Sequence, residues 1–154
     1  MTPTTADPTD PGACPLCGRV RDGEAVHSSQ LAAAIRDGFP VSPGHTLVIP
    51  HRHVPNLFDL DRDEQAALME MVTVVREALD LELHPDGYNV GINVGVAAGQ
   101  TVPHVHVHVI PRYEGDVPDP RGGIRWIFPQ HAQYWQDDPT SGDRTGGAQR
   151  GELK

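Results

Sequence analysis

Nine histidines occur in these 154 residues, and six of them fall in two clusters: His45, His51 and His53, then His104, His106 and His108. The second cluster lies in Thr101–Pro111, where only Val separates one histidine from the next. Alternation with β-branched residues is a strand pattern, so the three imidazoles should share one face while the valines face a core. Neighbouring members would then lie about 6.6 Å apart and the outer two about 13 Å apart at Cα. Two adjacent imidazoles can reach one tetrahedral zinc, with Zn–N bonds of about 2.0–2.1 Å, but three in a row on a regular strand cannot. At least one histidine must therefore do something else. A surface histidine stripe, or two ligands beside a bystander, are the plainer readings.

Two cysteines stand near the start as Cys14-Pro15-Leu16-Cys17. Without a secretory signal, this spacing reads as a metal half-site, a redox pair or idle thiols. With histidines to spare, a Cys₂His₂ zinc site is plausible and would help a segment poor in core residues. A histidine outside such a site can act as a nucleophile once an acceptor holds its second ring nitrogen, and phosphorus is its natural electrophile. The loop Val96–Thr101 offers N–H groups and a hydroxyl to phosphate oxygens. A second histidine could then polarise the phosphate or protonate a departing group.

The elements that must position these groups read as a mixed, mostly antiparallel arrangement. Leu31–Arg36 reads as a strand before the Asp37-Gly38 turn, and Thr46–Pro50 as a clear second strand. A helix is expected from about Asp61 to Leu79, with Asp61 and Glu64 as a capping box and Leu68, Met71, Val72, Val75 and Leu79 on its buried face. Tyr88–Gly95 alternates as a strand and should pair with the histidine strand as a hairpin, which sets Asn93 near the histidine face.

Length suits one compact domain with an aliphatic core, since hydrophobic residues are 38% and aromatics 5%. Residues 1–12 and 137–154 read as disordered tails around a domain at 13–136. The formal net charge is -9 with no basic run, which argues against a nucleic-acid partner. The single lysine, Lys154, lies in a tail, so a Walker-type phosphate loop is excluded. The start lacks the pattern of a secretory signal and no apolar run approaches 18 residues, so a cytoplasmic chain that neither spans nor enters a membrane is expected. His27, His84 and His131 read as surface residues. Trp126, Tyr134 and Trp135 read as a core cap, a dimer contact or a stacking surface for a base.

The run Gly99-Gln100-Thr101-Val102-Pro103-His104-Val105-His106-Val107-His108-Val109-Ile110-Pro111-Arg112 closely resembles the signature of the histidine triad (HIT) family of nucleotide hydrolases and transferases. The likeness extends over about Cys14 to Tyr113, through Asp37, Pro43-Gly44-His45, Ile49-Pro50 and His53-Val54, and more weakly over Asp119–Trp126. The resemblance implies an α+β, HIT-like fold, an antiparallel sheet with one long helix packed on it. It implies that His106 attacks an α-phosphate to form a covalent nucleotidyl-histidine, with His108 and His45 lining the phosphate site. It further implies that Asp37 binds ribose hydroxyls, that Asn93 meets the phosphate or leaving group, and that Gln100 and Thr101 border the phosphate. Zinc-containing branches imply a structural Zn²⁺ on Cys14, Cys17, His53 and His104, with His51 as an alternative to His53. No organic cofactor is implied, and a homodimer is.

The leading expectation is a hydrolase of diadenosine polyphosphates or related adenylylated compounds. Phosphoramidate hydrolysis, phosphorolysis and nucleotidyl transfer are alternatives within the same chemistry. A zinc-dependent hydrolase or oxygenase with its metal on the histidine strand, and a nucleotide-binding module without turnover, are alternatives outside it.

Overall fold

The computed structural model describes residues 10–137, which form two compact units divided after Asp116. The first carries helix α1 (Pro15–Arg21), strands β1 (Ala25–Ser28), β2 (Ala32–Arg36) and β3 (Thr46–Pro50), helix α2 (Arg62–Leu83), then strands β4 (Gly87–Ile92) and β5 (Val107–Arg112). All five strands join one antiparallel sheet in the order β1-β2-β3-β5-β4. The second unit holds a 3₁₀ turn at Gly123–Ile127, helix α3 (Pro129–Ala132) and a 3₁₀ turn at Tyr134–Asp137. The tails expected at 1–12 and 137–154 lie outside the described residues, apart from 10–12 and 137.

Every position of β3 is buried, and so is β2 up to Ile35. Side chains alternate across a strand, so the sheet sorts them into two cores. Ala32, Ala34, Val48, Val107 and Val109 pack with Leu68, Met71, Val72, Val75 and Leu79 of α2. Ala33, Ile35, Leu47 and Ile49 pack on the opposite face with Cys14 and Leu16 of the α1 segment. Each fully buried Leu or Ile contributes about 1.5–3 kcal/mol relative to exposure, so the α2 face carries most of the stability. The alanines of β2 let elements approach closely on both sides, a service that a period-two hydrophobicity scan does not register.

Helix α2 starts as expected. Asp61 Oδ1 accepts from the Glu64 N–H at 2.8 Å, and Glu64 Oε2 accepts from the Asp61 N–H at 2.9 Å, which completes a capping box. It runs to Leu83, four residues past the expected end, and stops at His84, whose φ of 50° is the left-handed conformation usual for a helix terminator. Glycine is the common residue there, and its absence hid the stop.

Helix α1, opened by Pro15 at its first turn, the short helix α3 and the edge strand β1 were not expected. The histidine strand is shorter than its alternation suggested. Its ladder begins at Val107, so His104, Val105 and His106 precede β5 in irregular backbone. The expected hairpin partner is present, with β4 and β5 in register from Gly87–Arg112 to Ile92–Val107. Among the described residues no helix is long and apolar enough to cross a membrane.

Candidate active site and metal centre

Val107 and Val109 face α2, so His108 between them faces the other way, opposite Leu47 in the register. The remaining triad residues follow this face. The ring centroids of His106 and His108 lie 5.0 Å apart, and those of His108 and His45 5.2 Å apart. His45 reaches the group from the start of β3 because Gly44 turns the chain at φ 85°. A Cβ at Gly44 would also meet Leu83 Cδ1 at 2.7 Å and Leu79 Cδ2 at 2.8 Å.

His104 turns instead to the cysteines. Its Nδ1 lies 3.4 Å from Cys14 Sγ, 3.3 Å from Cys17 Sγ and 3.4 Å from His53 Nδ1, while Cys17 Sγ is 3.6 Å from His53 Nδ1. Bonds of about 2.3 Å to sulfur and 2.0–2.1 Å to nitrogen in a tetrahedron would hold such donors about 3.3–3.8 Å apart. These four spacings suit a tetrahedral metal ion, and all four donor atoms lie within 4.8 Å of one another. Helix α1 makes this possible, since a spacing of three in its first turn brings Cys14 and Cys17 together. His51 does not join them. Its Nε2–H donates to the Ser29 carbonyl at 3.0 Å and lies 3.3 Å from Ser28 Oγ, so His53 is the member of the pair that meets the cysteines.

Backbone groups decide where the protons sit. The Pro50 carbonyl, 2.9 Å from His104 Nε2, can only accept, so Nε2 carries the hydrogen and Nδ1 turns a lone pair to the thiols. The His104 carbonyl takes His106 Nδ1–H at 2.7 Å, which leaves His106 Nε2 as the basic nitrogen. The Val41 N–H donates to His45 Nδ1 at 3.3 Å, so His45 Nε2–H donates onward to His108 Nδ1 at 3.0 Å. His108 in turn presents Nε2–H. The Asp37 carboxylate stands 3.4 Å from His45 Nε2 and 4.0 Å from His108 Nδ1.

Burial favours the neutral ring at His104, His45 and His108. It lowers His104 to about 4 and pushes His45 and His108 below the usual histidine value, with Asp37 opposing the shift at both. Burial and the neighbouring Cys14 push the Cys17 thiol up to about 11, so a metal ion would have to displace its proton.

A cavity of about 480 Å³ opens beside His45, lined by Arg36, Asp37, Val41 and Ser42 among others. The buried Ser42 Oγ has no hydrogen-bond partner among the described residues, and Phe39 and Val41 are exposed next to it. Asn93 sits half-buried one residue past the Ile92–Val107 pair, where a continued ladder would set it opposite His106. Thr101 is exposed. Gln100 is engaged inside the protein: its amide donates to the Pro55 and Val102 carbonyls at 2.8 and 3.0 Å and accepts from the Gly95 N–H at 2.8 Å. It braces the turn that carries Thr101.

Sequence reasoning missed the Val41 amide and the Pro50 and His104 carbonyls, because backbone groups leave no residue-type signal. It also missed Arg52, whose guanidinium forks onto the capping carboxylate of Glu64. His84 and His131 are exposed and His27 is half-buried in β1. In the second unit Trp126 and Tyr134 are exposed, while the Arg121 and Arg125 guanidinium groups lie 4.5 and 5.2 Å from the ring centroids of Trp135 and Tyr134.

The HIT domain model matches residues 19–115. An asymmetrical bis(5'-nucleosyl)-tetraphosphatase of Schizosaccharomyces pombe is 44% identical over 93 residues, covering 60% of this chain and 51% of that protein. An AP-4-A phosphorylase of Mycobacterium tuberculosis is 38% identical over 96 residues, covering 62% and 49%. The chain thus spans about half the length of these curated relatives. Among solved structures, a zinc-bound histidine triad family protein from Mycobacterium smegmatis is 34% identical with a TM-score of 0.64, covering 71% of this chain and 86% of that one. Family match, sheet topology and the paired histidine sites agree: the chain belongs to the HIT domain family, the histidine triad proteins.

Proposed function

We propose that the chain is a hydrolase that cleaves nucleotides at the α-phosphate through a covalent nucleotidyl-His106, with diadenosine polyphosphates or related adenylylated compounds as substrates. One observation carries this reading. His106 gives its Nδ1–H to a backbone carbonyl at 2.7 Å, which fixes the tautomer a phosphorus nucleophile needs. His106 Nε2 attacks the α-phosphorus, the P–N bond forms and the P–O bond to the leaving group breaks. His108 Nε2–H, held by the His45 Nε2–H donated behind it, donates to the phosphate or the departing oxygen. Water then attacks phosphorus, the P–N bond breaks and His106 is restored. Asp37, at the rim of the cavity beside His45, takes the ribose hydroxyls. Asn93 and Thr101 serve the phosphate, and Gln100 serves it by holding the turn.

Cys14, Cys17, His53 and His104 hold a structural Zn²⁺, which suits the two thiols, two imidazoles and near-tetrahedral spacings. When bound, the ion would tie the α1 segment to the sheet. A homodimer accompanies this reading, supported by β4 as an outer strand with Val90 40% exposed. Sedimentation equilibrium tests it by giving twice the chain mass.

The test of the chemistry is rapid quench with diadenosine tetraphosphate. An acid-labile adduct of AMP mass on His106 is the expected result, and full turnover with no adduct would overturn the mechanism. Phosphorolysis is the second reading, favoured by likeness to both a tetraphosphatase and a phosphorylase. Inorganic phosphate in place of water would then capture the same adduct and yield ADP.

A further inference from the structure

Helix α2 touches the two halves of the site through two arginine–glutamate contacts. At its C-terminal end, Glu82 Oε2 receives Arg36 Nη2 at 2.8 Å, and Arg36 directly precedes Asp37. In its first turn, Glu64 receives Arg52 Nε at 2.7 Å and Nη2 at 2.6 Å, and Arg52 directly precedes His53. The second contact is the more constrained. Its carboxylate is 7% exposed, against 57% for Glu82, and a forked guanidinium–carboxylate pair fixes direction as well as distance.

The β2–β3 ladder ends at Pro50, and around His51–His53 the backbone keeps the His51 N–H bond to the Leu31 carbonyl at 2.9 Å and the Val105 N–H bond to the Val54 carbonyl at 2.8 Å. Side chains fix the segment further on both sides. His51 is tied to the turn after β1 through the Ser29 carbonyl, and Arg52 is tied to α2 through Glu64 and to the Asp59 carbonyl at 3.1 Å. His53 is the next residue, and its Nδ1 is already 3.4 Å from His104 Nδ1. Such a ligand on an unanchored loop would have to be ordered at each binding event.

We infer that Arg52 and Glu64 are positioning residues for the metal ligand His53, so that the first turn of α2 sets the affinity of the Cys14–Cys17–His53–His104 cluster. This rests on the metal reading above. Partners behind a metal ligand are worth about 10- to 100-fold in affinity where they hold it in place.

The test measures Zn²⁺ and Co²⁺ affinity of the full chain against a chromophoric chelator, with the Co²⁺ visible spectrum as a report on ligand geometry. R52A and the R52A/E64Q double variant, which leaves no unpaired buried carboxylate, should bind about 10- to 100-fold more weakly and shift the Co²⁺ bands. R52K, which keeps the charge and loses the fork, should fall between them and the parent. E82Q removes an exposed pair at the far end of the same helix and should leave affinity within about twofold. Affinity and spectrum unchanged in R52A and the double variant, beside tight binding by the parent, would overturn this inference alone, even if the melting temperature fell. A parent chain that took up neither ion would overturn the metal reading together with it.

Discussion

At His104 both ring nitrogens are committed inside the protein, one to the Pro50 carbonyl and one to the cysteines, and the residue is 1% exposed. Four residues on, the His108 ring is 24% exposed and is held by another imidazole, His45, which a backbone amide holds in turn. Both rings are neutral through burial, yet neutrality serves opposite ends. In the cysteine cluster it keeps a lone pair ready for a metal ion. In the His45–His108 half it leaves a single N–H in a defined place. His106 stands between the two, giving its Nδ1–H to the His104 carbonyl and keeping Nε2 as its basic nitrogen.

The largest effect should come from the member shared by both halves. H106A should lower kcat by about ten-thousandfold while the fold and metal content stay unchanged, because no other ring nitrogen takes its place. Steady-state kinetics beside metal analysis reads this, and near-normal turnover would dissolve the division of labour. Stripping the metal with a chelator should lower the melting temperature and reduce kcat by about 10- to 100-fold, since the carbonyl that accepts the His106 Nδ1–H belongs to His104. A lower melting temperature with kcat intact at a temperature where the chain stays folded would separate the two halves completely.

Acid should then distinguish the halves through stability. In the metal-free chain His104 has a folded pKa of about 4 against 6.5 for an unperturbed histidine. The unfolded state therefore takes up the proton first, so stability present above the unfolded value is lost as pH falls from 6.5 to about 4. At 1.36 kcal/mol per unit this amounts to about 3 kcal/mol, visible in urea titrations at several pH values. Stability independent of pH across that window would remove the premise. The smallest effect concerns the His45–His108 half. His45 and His108 both lie below the ordinary histidine value, so the acid limb of kcat/KM should fall below pH 6.5. D37N takes away the charge that opposes this and should move the limb lower still, as a pH–rate profile would record.

Much of this was legible beforehand where residue type and local conformation are tightly coupled. The Asp61–Glu64 capping box, the buried face of α2 and the strand at Thr46–Pro50 follow from side chains acting on their own backbone, so the pattern alone locates them. The triad was legible as a motif, and so was the pairing of β4 with β5, although residues 93–106 separate the two strands. Helix α1 and strand β1 were not. Seven and four residues are too few to show a period, and both depend on packing against β2 and its neighbours.

The amino-acid sequence by itself determined which groups are available: two thiols at helical spacing, histidines on alternate residues, an acid before a Gly-containing turn and one long amphipathic helix. Only the tertiary structure decided how they are divided. The choice of His53 over His51 depends on the Ser29 carbonyl, His104's turn to the thiols on the Pro50 carbonyl, and the His45 tautomer on the Val41 amide. Those partners are backbone atoms or residues distant in the chain. Every residue but proline carries the same N–H and C=O, so where such groups point is settled when the chain folds rather than by which residue carries them.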